Sequence, residues 1–347
     1  MQHLAIDLGS RESQICVRDS DGNIVSERKL LTAKLPDFLA RQPLSRVILE
    51  TSAEAFLIAD AASEHGHQVR VVPATLVRTL GVGERRQKND QRDARKLSEV
   101  STRIDLPSVH VPSASSRERK AFCNSRKNLI QARTQLINYV RGQLRQRTIV
   151  IRGRAKKNFP SIVRDTLVAH CDGLPVHLDR VLQTIEALNE QLHAMDEELT
   201  AIAERDPVCQ RLMTVPGVGP VIAIRFTSVV DQPERFHSAH HLMSYIGLTP
   251  GENSSSMRVQ RTGITKAGAS DLRTALIQGA WSILRVQSND PMKKWAMALA
   301  ERRNRFVAVT ALARKLTGVL WAIWTKGTTY QPSTLTASTA DREVDVV

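Results

Sequence analysis

The run His3-Leu4-Ala5-Ile6-Asp7-Leu8 decides the fold at the N-terminus. It predicts a short apolar strand that carries one carboxylate, Asp7, and ends before Gly9. Further strands are predicted over 14–19 and 24–30, and the stretch Asp19-Ser20-Asp21-Gly22 between them is typical of a hairpin turn. A charge inside an apolar strand is costly without a partner, so Asp7 is either a hydrogen-bonded buried acid or part of a site.

The pattern after this hairpin alternates between helix and strand. A strand is predicted over 46–50 and another over 68–72, with helices near 34–41 and over 53–64. Three hairpin-linked strands followed by such alternation predict an α/β domain of the RNase H-like (RuvC-like) class, over residues 1–108. In that topology the first and fourth strands are neighbours, which would bring Asp7 close to Glu50.

A second pair of acids begins a predicted helix in the stretch Asn89-Asp90-Gln91-Arg92-Asp93-Ala94-Arg95-Lys96-Leu97. Asp90 and Asp93 are three residues apart, which puts both carboxylates on one helix face, about 5–6 Å apart. The basic neighbours also allow a simpler interpretation, a solvated helix start. Together with Asp7 and Glu50, the pair predicts an oxygen-rich site for Mg²⁺ or Mn²⁺. Two such ions about 4 Å apart can stabilise the attacking and leaving oxygens of a phosphodiester.

The charge of the chain is strongly basic, with a net charge of +14 and a pI of about 10.1. Between Arg117 and Arg164 the only acid is Glu118. Such a block repels itself unless a polyanion binds it, so we expect a nucleic-acid partner rather than a merely solvated face. The basic residues assigned to that role are Arg119, Lys120, Arg126, Lys127, Arg133, Arg141, Arg145, Arg147, Arg152, Arg154, Lys156 and Lys157.

Other classes of protein are disfavoured by the sequence. The four cysteines are scattered without a CxxC pair, which argues against a zinc site and for a reducing cytosol. No apolar run approaches the ~18 residues of a membrane span, and the N-terminus does not resemble a signal peptide. We therefore expect a cytoplasmic protein without a membrane partner.

The middle of the chain, 115–205, is predicted to be helical. A basic helix is expected over 115–150, followed by apolar residues at alternating spacings of three and four from Leu178 to Ile202. That heptad pattern favours either a helical hairpin with the basic helix or an intermolecular coiled coil. Either arrangement can assemble protomers, so a homo-oligomer, from dimer to tetramer, is expected.

The C-terminal part, 206–327, carries two further motifs. Pro216-Gly217-Val218-Gly219 resembles a helix-hairpin-helix turn, whose glycines let backbone N–H groups approach a phosphate, but it also fits a plain turn between helices. A loop holds Ser254-Ser255-Ser256, which is either solvated or a source of a nucleophile. Its cations, Arg258, Arg261 and Lys266, could grip a phosphate beside these hydroxyls. The tail, 328–347, is expected to be disordered.

These motifs occur in an order that resembles one family. The chain resembles the DEDD transposases of insertion-sequence family 110. The motifs that carry this resemblance are Asp7, Glu50, the stretch from Asn89 to Lys96, Pro216–Gly219, Gly247-Leu248-Thr249-Pro250, the serines and Gly263-Ile264-Thr265-Lys266-Ala267-Gly268. These transposases are relatives of the pilin-gene invertases. The resemblance runs from residue 3 to about residue 325.

The resemblance implies a RuvC-like N-terminal domain, a coiled-coil middle and a C-terminal transposase domain. It implies Mg²⁺ held by Asp7, Glu50, Asp90 and Asp93, and a serine nucleophile in the transposase domain. It also implies a structured non-coding guide RNA, the bridge or seeker RNA, that pairs with donor and target DNA. The working form would be a tetramer in a prokaryotic, nucleoid-associated setting, with the acids and the serine contributed by different protomers.

The chain departs from the family pattern at two places. Where the family commonly has Ser-Ser-Gly, this chain has Ser256 in place of the glycine, and where a glycine often follows the glutamate, it has Ala53. Matching the loop by its distance to Lys266 favours Ser255 as the nucleophile, with Ser254 as the alternative.

Three rival functions remain open from the sequence. A RuvC-like junction nuclease would use water and need the acids but no serine. An actin-like kinase would explain Asp7-Leu8-Gly9-Ser10 as a phosphate loop, but the chain shows no second such loop. A non-catalytic RNA-binding scaffold would bind RNA without DNA chemistry. We expect instead an RNA-guided recombinase that cuts and rejoins DNA through a phosphoserine intermediate.

Overall fold

A computed structural model describes residues 1–79, 90–151, 158–170, 173–252 and 261–332. It divides into two compact units, Met1–Pro112 and Ser113–Val347. The first unit is a sheet covered by helices, and the second is almost wholly helical. The further division of the second unit near residue 206 stays a prediction.

The first unit is built on a five-stranded sheet of order β3-β2-β1-β4-β5. Its strands are β1 Gln2–Asp7, β2 Glu12–Arg18, β3 Ile24–Leu31, β4 Ser45–Glu50 and β5 Gln68–Val72. Its helices are α1 Leu35–Leu39, α2 Ala55–Glu64, α3 Ala74–Thr79 and α4 Asp90–Arg103, with a 3-10 turn at Thr32–Lys34. β1, β2 and β3 pair antiparallel, whereas β4 runs parallel to β1 and to β5. This topology is consistent with the predicted RNase H-like domain.

The two faces of this sheet bury alternate residues of each strand, as a pleated strand requires. On one face, Leu4, Ile6 and Leu49 pack with residues of α1 and α2. On the other face, Ala5 and Ile48 pack with Leu97 of α4 and with other apolar residues. Asp7 is two residues after Ala5 and Glu50 is two residues after Ile48. Both acids therefore belong to the sheet face that α4 covers.

The second unit consists mainly of helices around one large apolar core. The helices are α5 Ala114–Arg145, α6 Phe159–His170, α7 Val176–Arg205, α8 Pro207–Met213, α9 Pro220–Val230, α10 Ala239–Tyr245, α11 Ser270–Arg285, α12 Pro291–Arg302 and α13 Arg305–Lys326. A short antiparallel pair of strands, β6 Pro250–Glu252 and β7 Arg261–Ile264, interrupts them. All four tryptophans pack against this core.

Helices α5 and α7 form an antiparallel hairpin within the chain, one of the two arrangements expected from the heptad pattern. Their pairing runs in opposite directions: Arg126 lies 2.5 Å from Asp196, and Arg133 donates to Asn189 over 2.9 Å. Val140 and Leu182 share a smaller core with α6. A coiled coil between chains stays a prediction.

Helix α13 is the one described helix that is long and apolar enough, by length and composition, to cross a membrane. It packs in the core of the second unit, where Leu312, Leu316 and Leu320 are fully buried or nearly so. Burial against α11 and α12 accounts for its apolar sequence without a lipid environment.

The Pro216–Gly219 motif joins α8 to α9 as a tight turn. Gly217 has a φ of +79°, and a Cβ there would stand 2.7 Å from the carbonyl oxygen of Gly279 on α11. Its glycine therefore serves close helix packing. A Cβ on Gly219 would meet open space, so a phosphate-binding role of this turn stays a prediction.

Candidate active site

One candidate region, in the first unit, is an edge of the sheet where two acids stand side by side. Asp7 is the last residue of β1 and Glu50 the last residue of β4, and the pair just before them, Ile6 and Leu49, is in register. Neighbouring strands lie about 4.8 Å apart, so the two acids end adjacent strands at the same level. Both are half-buried. We call these two strand ends the acid edge.

Backbone contacts fix the chain immediately after each acid. A Cβ on Gly9 would stand 2.3 Å from the carbonyl oxygen of Glu12, so only glycine fits there, and Thr32 Oγ1 donates to the carbonyl of Gly9 over 2.7 Å. After Glu50, the N–H of Thr51 donates to the carbonyl of Val72 over 3.0 Å. The backbone therefore holds both carboxylates at fixed positions.

Helix α4 crosses the sheet in a direction set by polar contacts with β1 and β2. The hydroxyl of Ser101, near its C-terminal end, is 2.8 Å from Nδ1 of His3, and Ser98 donates to Sγ of Cys16 over 3.2 Å. Since His3 starts β1, the helix runs antiparallel to that strand. Eight residues of helix and four of strand both span about 12–13 Å, so Asp93 comes level with Asp7. Helix α4 thus packs over β1 and β2.

An ion pair also fixes the first turns of α4. Arg95 donates to both carboxylate oxygens of Glu27 on β3, which lowers the pKa of Glu27. Lys96 lies 3.7 Å from Glu99. The simple interpretation of this segment treated Arg95 and Lys96 as neutralising Asp90 and Asp93, but the structure pairs both cations with other acids.

The donors at the acid edge suit a hard divalent cation, which prefers carboxylate and hydroxyl oxygens. Ser52 Oγ, two residues after Glu50, is buried and has no hydrogen-bond partner among the described residues. An orphaned buried hydroxyl there fits a bound ligand or water. Within the described residues, however, no three His, Cys, Asp or Glu side chains lie close enough together to hold a metal ion. The side chain of Asp90 lies outside that description, so the four-acid metal site stays a prediction.

A separate candidate region, in the second unit, is the serine hairpin, which comprises β6, residues 253–260 and β7. Ser254, Ser255, Ser256 and Arg258 fall in this loop, outside the described residues, as does the side chain of Arg261. The strands that carry the loop pair antiparallel, Pro250 with Ile264 and Glu252 with Arg261.

Two glycines, one on each side of this hairpin, pack closely against the backbone of the opposite segment. A Cβ on Gly247 would stand 2.3 Å from the carbonyl oxygen of Ala267, and a Cβ on Gly268 would stand 2.0 Å from that of Tyr245. Both have positive φ, +70° and +71°. The segments 245–249 and 264–268, which we call the hairpin base, therefore pack backbone against backbone. Only glycine permits such an approach at a positive φ.

Arg273 of α11 ties the two halves of the hairpin base together. Its Nη1 donates to the carbonyl of Ile246 over 2.8 Å and to that of Ala267 over 3.0 Å. The N–H of Lys266 adds a bond of 3.2 Å to the carbonyl of Gly247. Lys266 itself is exposed at a φ of +56°, so its ammonium is presented at the base of the serine hairpin.

Asp271 lies in the first turn of α11, just after the hairpin base, and forms ion pairs with two cations. Lys127 Nζ of α5 lies 2.6 Å from Oδ1, and Arg225 Nη1 of α9 lies 3.6 Å from Oδ2. The hydrogen bond from Lys127 lowers the pKa of this carboxyl. Arg225 is buried and also donates to the carbonyl of Cys123 over 2.8 Å. This group joins three helices behind the hairpin base.

The basic residues assigned to nucleic acid differ in their surroundings. Four of them face acids or amides within the chain: Arg119 with Asp206, Arg126 with Asp196, Lys127 with Asp271, and Arg133 with Asn189. Lys120, Arg145 and Arg147 are exposed, and Arg141 lies over the ring of Phe159. The remaining group, Arg152, Arg154, Lys156 and Lys157, lies outside the described residues. The basic block is thus partly neutralised from other helices, which the sequence interpretation did not foresee.

The sequence interpretation missed Arg273, Asp271 and Arg225. The sequence position of Arg273 could have marked it, because this cation lies at the start of a helix that follows the Lys-Ala-Gly motif. Arg225 also has one, since it is the single charged residue in an otherwise apolar helix. A charge in such a position is costly unless it has partners.

Comparisons with known proteins agree on one family. Residues 4–149 match a family model described as a transposase of the DEDD, IS110 type, and residues 209–296 match one described as transposase IS116/IS110/IS902 family. The transposase for insertion sequence element IS1111A of Coxiella burnetii is 30% identical over 339 residues, which cover 94% of this chain and 91% of that protein.

Two other relatives match over similar lengths. A probable family 20 transposase of Pseudomonas aeruginosa is 27% identical, covering 96% of this chain and 99% of its own. The transposase for insertion sequence element IS1328 of Yersinia enterocolitica is 27% identical, covering 94% and 98%. Since both family models match in chain order and the relatives align end to end, the chain belongs to the IS110 family of insertion-sequence transposases.

Proposed function

We propose that this transposase is an RNA-guided recombinase that cuts and rejoins DNA through a serine–phosphate intermediate. Membership of a transposase family makes it a DNA-processing enzyme. The observation that carries the finer proposal is the pairing of Asp7 and Glu50 at the ends of adjacent parallel strands, under a helix that begins with Asp90 and Asp93. Nuclease-like acid arrangements of this type suit phosphodiester chemistry.

The acids would hold Mg²⁺ or Mn²⁺ at the acid edge. Such an ion supplies stabilisation of the charge that develops on a phosphate and its leaving oxygen. The role of Asp7 and Glu50 is to present carboxylate oxygens, since backbone contacts fix the chain after both residues. Asp90 and Asp93 would complete the set from α4.

Ser255 would be the nucleophile, with Ser254 as the alternative. The serine oxygen loses its proton and bonds to phosphorus, while the bond from phosphorus to the leaving strand's oxygen breaks and that oxygen takes up a proton. The reverse step, with a new strand's hydroxyl as the attacking group, restores the serine and joins the strands. No ATP is needed because the serine ester conserves the phosphodiester bond. Arg258, Arg261 and Lys266 would bind the phosphate beside it.

The guide RNA and both DNAs would bind basic surfaces. Lys120, Arg145 and Arg147 are exposed on α5 and the turn after it, which supports a role in holding a phosphate backbone. The chain would act as a homo-oligomer, up to a tetramer, in a prokaryotic cytoplasm close to the nucleoid.

The test is covalent trapping of the full-length protein on a DNA substrate with its guide RNA. Ser255→Ala should abolish the protein–DNA adduct and leave RNA binding intact, because the hydroxyl serves only the chemical step. Ser256→Ala, in the same loop, is the matched control and should still form the adduct. An adduct that survives Ser255→Ala moves the nucleophile to Ser254 or elsewhere.

A double variant separates this proposal from a nuclease that uses water. If Ser254→Ala/Ser255→Ala still cleaves DNA in single-turnover experiments, and cleavage is lost with Asp7→Asn, the acids act without a serine. That result would contradict the serine mechanism and support the RuvC-like nuclease.

A further inference from the structure

An exposed row of rings lies on α10 and the residue pair before it. His241 and Tyr245 are four residues apart on α10 and share one helix face, and His237, which precedes the helix, places its ring beside that of His241. The rings of His237 and His241 are nearly parallel, at 10°, with centroids 5.8 Å apart. Both histidines are exposed, and Tyr245 is 43% exposed. We call these three side chains the ring surface.

The ring surface is backed by buried groups. Phe236, only 4% exposed, meets His241 edge-on at 5.8 Å and Tyr245 at 5.3 Å between centroids. The guanidinium of Arg235 lies 4.8 Å from the centre of the Tyr245 ring and donates to the carbonyls of Val229 and Val230. Ser238 caps the helix by accepting from the N–H of His241 over 3.2 Å. The rings are therefore held in place before any partner binds.

The same segment continues directly into the serine hairpin. The carbonyl of Tyr245 is the group that a Cβ on Gly268 would strike, and Arg273 holds the carbonyl of the next residue, Ile246. The exposed cation Lys266 belongs to this hairpin base. Rings and positive charge are thus joined to the loop that carries the serines.

We propose that the ring surface stacks unpaired bases of the DNA strand that the serine hairpin processes. The inference rests on the proposed function, because it places the reacting strand at the serine hairpin. Exposed rings on a rigid support, next to cations, are the usual means of binding single strands without sequence preference. A strand whose bases stack there would be held apart from its complement as its backbone passes the serines.

The positive charge favours a nucleic acid over a protein partner. Arg235 and Lys266 accompany the rings, and the chain carries a net charge of +14. DNA rather than RNA is the occupant because the rings adjoin the hairpin where the DNA strand would be cut.

The test measures binding of the full-length protein to a single-stranded DNA oligonucleotide containing 2-aminopurine, in EDTA and at fixed salt. His237→Ala/His241→Ala should weaken binding by about 5- to 150-fold, since one stacked base contributes about 1–3 kcal/mol. The quenching of 2-aminopurine that stacking causes should decrease in parallel. The dependence of affinity on salt should not change, because no phosphate contact is removed.

Two further variants make the result specific. His237→Phe/His241→Phe keeps flat rings and should retain DNA affinity and quenching. The same variant would lose both if the function of these residues were metal binding or proton transfer by the imidazole nitrogens. His177→Ala/His193→Ala removes two exposed histidines of α7 and should leave binding unchanged.

Three outcomes would overturn the proposal: unchanged DNA binding in the alanine variant, equal loss in the phenylalanine variant, or loss confined to single-stranded RNA. Ser255→Ala should bind single-stranded DNA normally, so a failure of the serine mechanism would be seen separately in the trapping experiment.

Discussion

The acid edge and the serine hairpin are held in place by different means. At the acid edge, Asp7 and Glu50 end strands in the middle of a five-stranded sheet, and their positions follow from strand register. The serines are carried on a loop between two short strands, whose base depends on Gly247, Gly268 and the side chain of Arg273. The backbone of a sheet changes little when one side chain is replaced, whereas the backbone of the hairpin base depends on a few particular residues. Mutations at the two regions should therefore fail in different ways.

The largest effect is expected at the acid edge. Asp7→Asn or Glu50→Gln removes a charge but almost no volume, so DNA cleavage should fall by at least about 10²-fold, a loss typical of removing one electrostatic stabiliser. The thermal midpoint should stay close to that of the wild type, because the sheet register is unaffected. Asp60→Asn on α2 is a control that should cleave normally. Normal cleavage by both edge variants would remove the acid edge from the site.

Gly268→Ala should also abolish strand transfer, but through structure. The added Cβ meets the carbonyl of Tyr245 at 2.0 Å, and the positive φ alone costs about 1–3 kcal/mol. Limited proteolysis should show new cleavage within 245–268 and none within 1–112. Gly142→Ala on α5, where a Cβ also meets open space, is the matched control and should behave as wild type. A Gly268→Ala protein with normal transfer would show that the hairpin base tolerates displacement.

Arg273→Lys should give an intermediate effect. Lysine keeps the charge but cannot donate to the carbonyls of Ile246 and Ala267 in the same forked geometry. We expect adduct formation to slow by about 10-fold, which corresponds to about 1.4 kcal/mol and to the loss of one good hydrogen bond. DNA affinity should change little. Equal slowing in Arg285→Lys, at the other end of α11, would show a non-specific effect.

The smallest effect concerns Asp206, which joins α7 to α8. Its Oδ1 accepts from the N–H groups of Val208 and Cys209, and Arg119 lies 2.6 Å from Oδ2. Burial opposes ionisation, but these contacts outweigh it and lower the pKa of this carboxyl. A lowered pKa gives stability that is present above the ordinary value near 3.9 and is lost as the pH falls through the folded value.

Asp206→Ala should therefore destabilise the second unit by about 1 kcal/mol at pH 7, the usual cost of losing a helix cap. Urea unfolding at pH 7 and below pH 4 checks this, since the difference from wild type should shrink in acid. Asp206→Asn keeps the capping oxygen and should recover part of the loss. A difference that grows in acid would contradict the assignment.

The sequence predicted the acid edge better than the hairpin base for a physical reason. Strands with alternating burial carry their periodicity in consecutive residues, so β1, β4 and the adjacency of Asp7 and Glu50 could be inferred from local patterns. Contacts such as Arg95 with Glu27 or Lys127 with Asp271 join residues 68 and 144 positions apart, and no local pattern reports them. Helix starts are also hard to read locally: α2 begins after Glu54 and α11 after Ala269, and neither residue makes a side-chain cap although serines lie close by at 52 and 270.

Lys127 pairs with Asp271 and is also one of the basic residues proposed to bind nucleic acid, so these two interactions compete. A phosphate group that recruited Lys127, as proposed, would compete with Asp271 for the same ammonium, and the more distant ion pair of Asp271 with Arg225 would remain. Because such linkage is reciprocal, whatever weakens this pair from the side of α11 frees Lys127 for a polyanion to the same extent. Under the proposed function, occupancy of the basic helix and the charge at Asp271, near the hairpin base, would be a single coupled equilibrium.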